Sequence, residues 1–272
     1  MINNKYLKFY NLDIKIKTKL NNLNYFSSLS LNQNAIHYLR KHIDKIDWYN
    51  FNKNPNCLKL LKNNRDKIVW SYLCKNTNVK VIDFIKENYD YIDWKSLSKN
   101  INAIELLTDN YDFIDWTALS LNNNAINLLK YNYNNINWMN LCLNTNINAI
   151  KLLENNLYKI DWNNLSKNPY AIDILLNNLD KINWNFFSEN PNAISYLNDN
   201  PDKINWNHLS KNPNAIQLLK NNPDKINWIY LSYNHNALDI IIDYPNKFIW
   251  KLDYISFSNP NIFSIKCLNI YL

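Results

Sequence analysis

Glycine is absent from all 272 residues. Phosphate-cradling loops, dinucleotide fingerprints, nucleophile elbows and EF-hand calcium loops all place glycine where a side chain would collide or the backbone turns left-handed. None of them is present in its standard form. Helix ends that would use glycine in the left-handed region need the next best residue, asparagine. Long apolar runs are lacking too: no stretch reaches the ~18 residues of a membrane span. The amino terminus has no apolar segment ending in small residues, as a signal peptide would. A soluble, intracellular protein with no membrane partner is expected, not a secreted one. Linkers are also missing, since Asn, Lys, Ile, Leu and Tyr dominate from end to end.

With 47% apolar residues and ten Trp, the chain can bury a sizeable core, so its many Asn do not signal disorder. The formal charge is +7, of which Lys5, Lys8, Lys15, Lys17 and Lys19 against Asp13 supply +4, leaving +3 for residues 25–272. The basic balance is therefore largely a property of the leader. An evenly charged remainder reads as a solvated surface.

Trp48, Trp70, Trp94, Trp116, Trp138, Trp162, Trp184, Trp206, Trp228 and Trp250 recur at intervals of 22 or 24 residues, and Phe26 takes the same place one period earlier. With this aromatic as position 1, the unit reads Trp-x-x-Leu-Ser-x-Asn-Pro-Asn-Ala-Ile-x-Leu-Leu-x-x-Asn-x-Asp-Lys-Ile-Asn. Ten such repeats run from residue 26 to residue 249, between a basic amino-terminal cap (1–25) and a degenerate carboxy-terminal capping repeat (250–272). One continuous solenoid domain is the simplest organisation.

The two longer repeats carry an extra Thr77-Asn78 and Thr145-Asn146, and loops tolerate insertions, so a loop is expected there. Position 7, just before it, is Asn in every repeat: Asn32, Asn54, Asn76, Asn100, Asn122, Asn144, Asn168, Asn190, Asn212 and Asn234. Asn followed by Pro, as in Asn212-Pro213, reads as a helix N-cap with a first-turn proline. Ala215, Ile216, Leu218 and Leu219 then give the spacing of one helical face, a helix of about two and a half turns. A second start signal is the Asn of position seventeen, as in Asn222-Pro223. The Asp or Asn just before the Trp, as in Asp161-Trp162, is an alternative start, with Pro-Asp-Lys-Ile as the turn. Helices this short need their neighbours, so stacking follows. Asn221-Asn222 is expected to end one helix and cap the next.

The fold class predicted is all-α, a solenoid of helix-turn-helix repeats. Its competitor is the leucine-rich-repeat horseshoe, which shares the 22-residue period but needs an apolar residue at position 6, where Lys53, Lys75, Lys99, Lys167 and Lys211 stand. Within the solenoid the recurrent Trp is expected in the core.

Candidate chemistry is sparse. Cys74 and Cys142 occupy a position usually held by Ser, Cys57 one usually held by Ala, and no pair has zinc-site spacing; structural thiols are expected. His37, His42, His208 and His235 fall at four different repeat positions, so stacking does not cluster them. Asp recurs at position 19 (Asp44, Asp66, Asp90, Asp112, Asp180, Asp202, Asp224), read as the first turn of the second helix. Lys often follows at position 20 (Lys45, Lys67, Lys181, Lys203, Lys225) and offsets it. No catalytic, cofactor-binding or metal-binding residue is assigned, and neither an enzyme nor a small-molecule substrate is expected. Residues that recognise a partner need not recur, so recognition is placed at the variable positions 2, 3, 12 and 16. In the middle of the chain these include Glu105, Asn127, Tyr131, Met139, Asn140 and Lys151.

Units such as Lys203-Ile204-Asn205-Trp206-Asn207-His208-Leu209-Ser210-Lys211-Asn212-Pro213-Asn214-Ala215-Ile216 resemble Asn-rich short tandem repeats in proteins of giant amoeba-infecting DNA viruses, the mimivirus-like group. The resemblance covers residues 26–249 and implies a viral origin, which suits the AT-rich codons of the residues used in excess. It carries no activity over. It implies an adaptor for a host or viral protein in the host cytoplasm, or a component of the particle. A nucleic-acid-binding helical repeat is the alternative, since such arrays read one base per repeat while cationic side chains hold the backbone.

Overall fold

A computed structural model describes residues 24–244 and Lys247. The fold is all-α, a helical repeat solenoid, with no strand among the described residues, so the horseshoe alternative falls. The described residues divide into two compact units, one of residues 29–182 and one that includes residues 183–244. Both caps expected from the sequence lie almost wholly outside the described residues, as does Trp250.

Each repeat is a Trp helix, a loop, a helix rich in leucine and a 3₁₀ turn, as in Trp116–Leu119, Ile126–Tyr131 and Tyr133–Asn135. The Trp helix starts at the Trp because the preceding Asp or Asn caps it. Asp93 accepts from Ser96 N at 2.8 Å, Asp115 from Ala118 N at 2.7 Å and Asn137 from Asn140 N at 2.9 Å. Of the two starts left open by the sequence, this is the one taken. Val69 lacks the oxygen and makes no such bond.

The Asn of position seventeen does a different job. Its amide reaches back to the carbonyl four residues earlier and closes the leucine helix, as Asn110 does to Leu106 and Asn222 to Leu218 at 2.8 and 2.9 Å. The following Asp, as in Pro201–Lys203, lies in the 3₁₀ turn, not in the first turn of the next helix. Among the described residues none has positive φ, so no left-handed Asn ends a helix. The side-chain amide takes the carbonyl that a left-handed residue would have served.

The leucine helix is shorter than the pattern suggested. It spans six residues in Ile104–Asp109 and Ile216–Asn221, and eight only in Val79–Lys86 and Ile147–Glu154. In those two, the inserted Asn78 and Asn146 are true N-caps, accepting from Lys80 N at 2.9 Å and Asn148 N at 2.8 Å. The insertions do lie in the loop between the helices.

Within residues 29–182 the core is a stack of like residues: Leu97, Leu119, Leu141 and Leu165 from the Trp helices, Leu107, Leu129, Leu153 and Leu175 from the leucine helices, with Ala103, Ala125, Ala149 and Ala171 between. Phe187, Leu209 and Leu231 with Leu197 and Leu219 repeat this in the second unit. The small residue at position 10 lets the loop approach closely. Large-to-small change at any of the leucine or phenylalanine positions leaves a cavity.

Candidate interaction surface

The invariant Asn of position 7 is not a helix N-cap of the expected kind. The leucine helix starts three or four residues later, after Ala103, Ala125 or Ala215. The carbonyl oxygen of its side chain closes a local turn, accepting from the backbone two residues on, as Asn122 does from Asn124 N at 3.0 Å. The side-chain NH2 meanwhile donates to two backbone carbonyls of the preceding repeat. Asn100 reaches Cys74 O and Asn76 O at 2.9 and 2.8 Å, and Asn122 reaches Ser98 O and Asn100 O at 3.1 and 2.9 Å. Asn144 then takes Ser120 O and Asn122 O, and Asn168 takes Cys142 O and Asn144 O. Asn54 and Asn76 continue the ladder on one side; in the second unit Asn212 and Asn234 repeat it. All of these are buried, and Asn190, likewise buried, does head a 3₁₀ turn by accepting from Asn192 N. Asn32, with no such bond to an earlier repeat among the described residues, is half-buried. Only an amide offers two donors and an acceptor on so short a stem, which is why no other residue type appears here.

A second Asn ladder runs beside it at position 9. Asn102 Nδ2 donates to Thr77 O at 2.6 Å and Asn124 Nδ2 to Ile101 O at 2.9 Å. Position 5 ties each repeat to the start of the next Trp helix: Ser98 Oγ accepts from Asp115 N at 3.1 Å and donates to Trp94 O at 2.8 Å. Where Cys74 and Cys142 replace that Ser, burial pushes their thiols up to about 11, and Cys57 is pushed up to about 12 for the same reason. These thiols are buried structural side chains, held protonated at neutral pH and far from the thiolate a nucleophile needs.

The Trp rings are not core. Trp48, Trp70, Trp94, Trp116, Trp138, Trp162, Trp184, Trp206 and Trp228 are all half-buried. Leucine or phenylalanine three residues later takes the interior instead, and each indole lies on the rim. In three repeats the Lys of position 20 covers it: Lys159 sits 4.8 Å over Trp138, Lys203 5.7 Å over Trp184 and Lys225 4.6 Å over Trp206. In two repeats an aromatic replaces that Lys: Tyr91 stacks on Trp70 at 5.0 Å and Phe113 on Trp94 at 4.9 Å. Tyrosines at position 18 add edge contacts to the next indole, Tyr89 to Trp94, Tyr111 to Trp116 and Tyr133 to Trp138. Their hydroxyls donate to Asn110, Asn132 and Asn156, the helix-closing asparagines of the following repeats. Sequence reasoning missed this aromatic rim, although the exchange of Lys for Tyr or Phe at position 20 signals it.

Of the residues placed at variable positions, Tyr131 is 89% exposed and Met139 56% exposed. Asn127, Lys151 and Glu105 are also exposed or nearly so, and Glu105 pairs loosely with Lys86 of the preceding repeat at 3.5 Å. Asn140 is committed, donating to Thr117 O at 2.8 Å. Met139 and Asn140 stand on the Trp138–Leu141 helix; Glu105, Asn127, Tyr131 and Lys151 stand on leucine helices. They are therefore divided between the two kinds of helix.

The histidines are dispersed as expected. His42 stacks on Tyr38 at 4.3 Å, while His208 Nδ1 lies 2.7 Å from Glu189 Oε1. Burial works to raise the Glu189 carboxyl, but hydrogen bonds from Lys211 and His208 outweigh it and hold the group below the ordinary carboxylate value. Among the described residues no group of His, Cys, Asp and Glu could hold a metal ion. No helix described is long and apolar enough to cross a membrane.

No protein family, characterised protein or solved structure matches this chain. Its side chains alone therefore carry the functional reading.

Proposed function

We propose that the protein is a non-catalytic scaffold that binds another protein, as a viral adaptor or a component of the particle. The observation that supports this is the exposure of Tyr131 and Met139, 89% and 56%, at positions the repeat leaves free. Exposed aromatic and thioether groups are what protein interfaces concentrate at their centres. The recurrent Asn amides of position 7, by contrast, are used inside, where they bond the preceding repeat, and the three described thiols are buried.

A nucleic-acid reading is less well supported. The lysines that would hold a phosphate backbone lie over Trp138, Trp184 and Trp206. The indole faces that would stack bases are thereby occupied.

The test is a pull-down from infected host cells with the parent chain and with Tyr131→Ala/Met139→Ala. The expected result is a partner recovered by the parent and lost by the double variant, with unfolding free energy within about 1 kcal/mol of the parent, as for non-core substitutions. Full retention of the partner by the double variant, or its loss only through unfolding, overturns this placement. Recovery of RNA or DNA in place of a protein overturns the reading itself.

A further inference from the structure

One edge of the unit formed by residues 29–182 reverses its charge part-way along. The exposed side of each leucine helix and the 3₁₀ turn after it present positions 12, 15, 16 and 18 to 20. In the first two repeats this edge is cationic: Arg40, Lys41, Lys45, Lys59, Lys62, Arg65 and Lys67 stand against Asp44 and Asp66, all exposed. In the next two it is anionic: Asp83, Glu87, Asp90, Glu105, Asp109 and Asp112 stand against Lys86, again all exposed. Here Tyr91 and Phe113 replace the Lys of position 20. The offset of Asp by a following Lys, expected at Lys45, Lys67, Lys181, Lys203 and Lys225, is therefore missing where the aromatics stand. Asp66, Asp180 and Asp202 each pair with the next Lys at 2.9 to 3.2 Å; Asp90 and Asp112 are followed by Tyr91 and Phe113 instead.

The two blocks are contiguous. Lys62 and Arg65 lie 5.2 and 5.9 Å from the ring of Phe84 in the following repeat. Lys86 reaches Glu105, and Tyr89 meets Phe113 at 6.5 Å, in the repeat after that. Each block is two repeats long, and the change of sign falls between Lys67 and Asp83. A surface with equal adjoining blocks of opposite sign is complementary to itself under a two-fold rotation about the boundary. In an isologous pair residue i meets residue j, and j meets i, so both contacts are attractive at once.

We infer that this edge is a self-docking surface, on which a second copy of the chain lies antiparallel so that each cationic block faces the other's anionic, aromatic block. The exposed rings of Tyr91 and Phe113, 60% and 51% accessible, receive lysine and arginine side chains of the second copy. That contact repeats between molecules what Lys159 and Lys225 do to indoles within one. It needs no foreign partner and stands independently of the adaptor reading. Exposed ion pairs are individually weak and screened, so the dimer is salt-sensitive and concentration-dependent.

Sedimentation velocity on the full chain over a concentration series tests it, with two variants chosen at exposed positions. Lys41→Glu/Lys59→Glu cuts the cationic excess of the first block from five charges to one; Glu87→Lys/Asp109→Lys cuts the anionic excess of the second from five to one. The parent is expected to dimerise at low salt and to dissociate as the Debye length falls below ~10 Å. Each variant alone is expected to associate about tenfold or more weakly than the parent, and the two mixed to form a heterodimer. Circular dichroism confirms that both variants remain folded. A parent that stays monomeric at low salt, or variants that dimerise as the parent does, overturns the proposal. A monomeric parent that binds an oligolysine peptide, with Glu87→Lys/Asp109→Lys abolishing it, overturns it in favour of a foreign cationic partner.

Discussion

Asparagine here is a building material, and its most consequential use is at position 7. Asn122 donates to two buried carbonyls of the preceding repeat, and its own backbone carbonyl accepts from Asn144 of the next. Removing the side chain strips Ser98 O of its amide donor and Asn124 N of its acceptor, while Asn100 O keeps only Ala103 N at 3.1 Å; an unsatisfied buried group costs about 1–3 kcal/mol. Asn122→Ala is therefore expected to lower the unfolding free energy by about 2–4 kcal/mol, read by denaturant titration. Asn122→Asp is expected to cost at least as much, because a carboxylate cannot donate and faces two carbonyl oxygens. A loss below about 0.5 kcal/mol for both, the range of ordinary surface substitutions, would mean that the ladder does not hold the repeats together. The residue type and its invariance were visible in the sequence. Its partners were not, because they lie 22 to 26 residues away, and a capping Asn has the same local signature as a bridging one.

The α-helices among the described residues have four to eight residues, too few to persist alone, so their ends are fixed by side chains rather than by propensity. The Asp or Asn before each Trp shows this, and Val69 is the exception, with extended backbone of φ −106° and ψ 93° like the true caps but no side-chain acceptor. Val69→Asp is expected to add a cap to the Trp70–Leu73 helix and raise stability by about 1 kcal/mol. An unchanged or lowered denaturant midpoint would show that Val69 packs in a way the cap cannot replace. Two cap signals per repeat were legible in the sequence. Which served which helix depended on the 3₁₀ turn at Pro201–Lys203 and its counterparts. Its tight geometry detaches the preceding asparagine, such as Asn200, from the helix that follows and gives its amide to the helix before, at Tyr196 O.

A repeat array tolerates loss of a whole unit better than loss of part of one, because each unit's contacts are with its neighbours. Removal of residues 116–137, one full period, is expected to preserve helical content per residue by far-ultraviolet circular dichroism, while lowering the melting temperature. Removal of only residues 116–126 is expected to abolish cooperative unfolding: both deletions take Ser120 O and Asn122 O from Asn144, but only the full one puts Asn144 in the register of Asn122, whose acceptors are Ser98 O and Asn100 O. Equal behaviour of the two deletions would argue against register-dependent stacking.

Period, helical class and loop position all followed from spacing, because a recurring aromatic and a two-residue insertion are one-dimensional facts. The Trp showed the limit of that reasoning. Its recurrence announces a role in every repeat, yet a large ring can recur on the rim, half-buried beneath a Lys or a Tyr, while the leucine three residues later fills the interior. Stacking also decided that charges in four successive repeats share one edge, and that Tyr91 and Phe113 stand outward among carboxylates. Such groupings arise only when residues 22 to 24 apart are brought side by side, and the chain order of the charges does not show which of them face the same way.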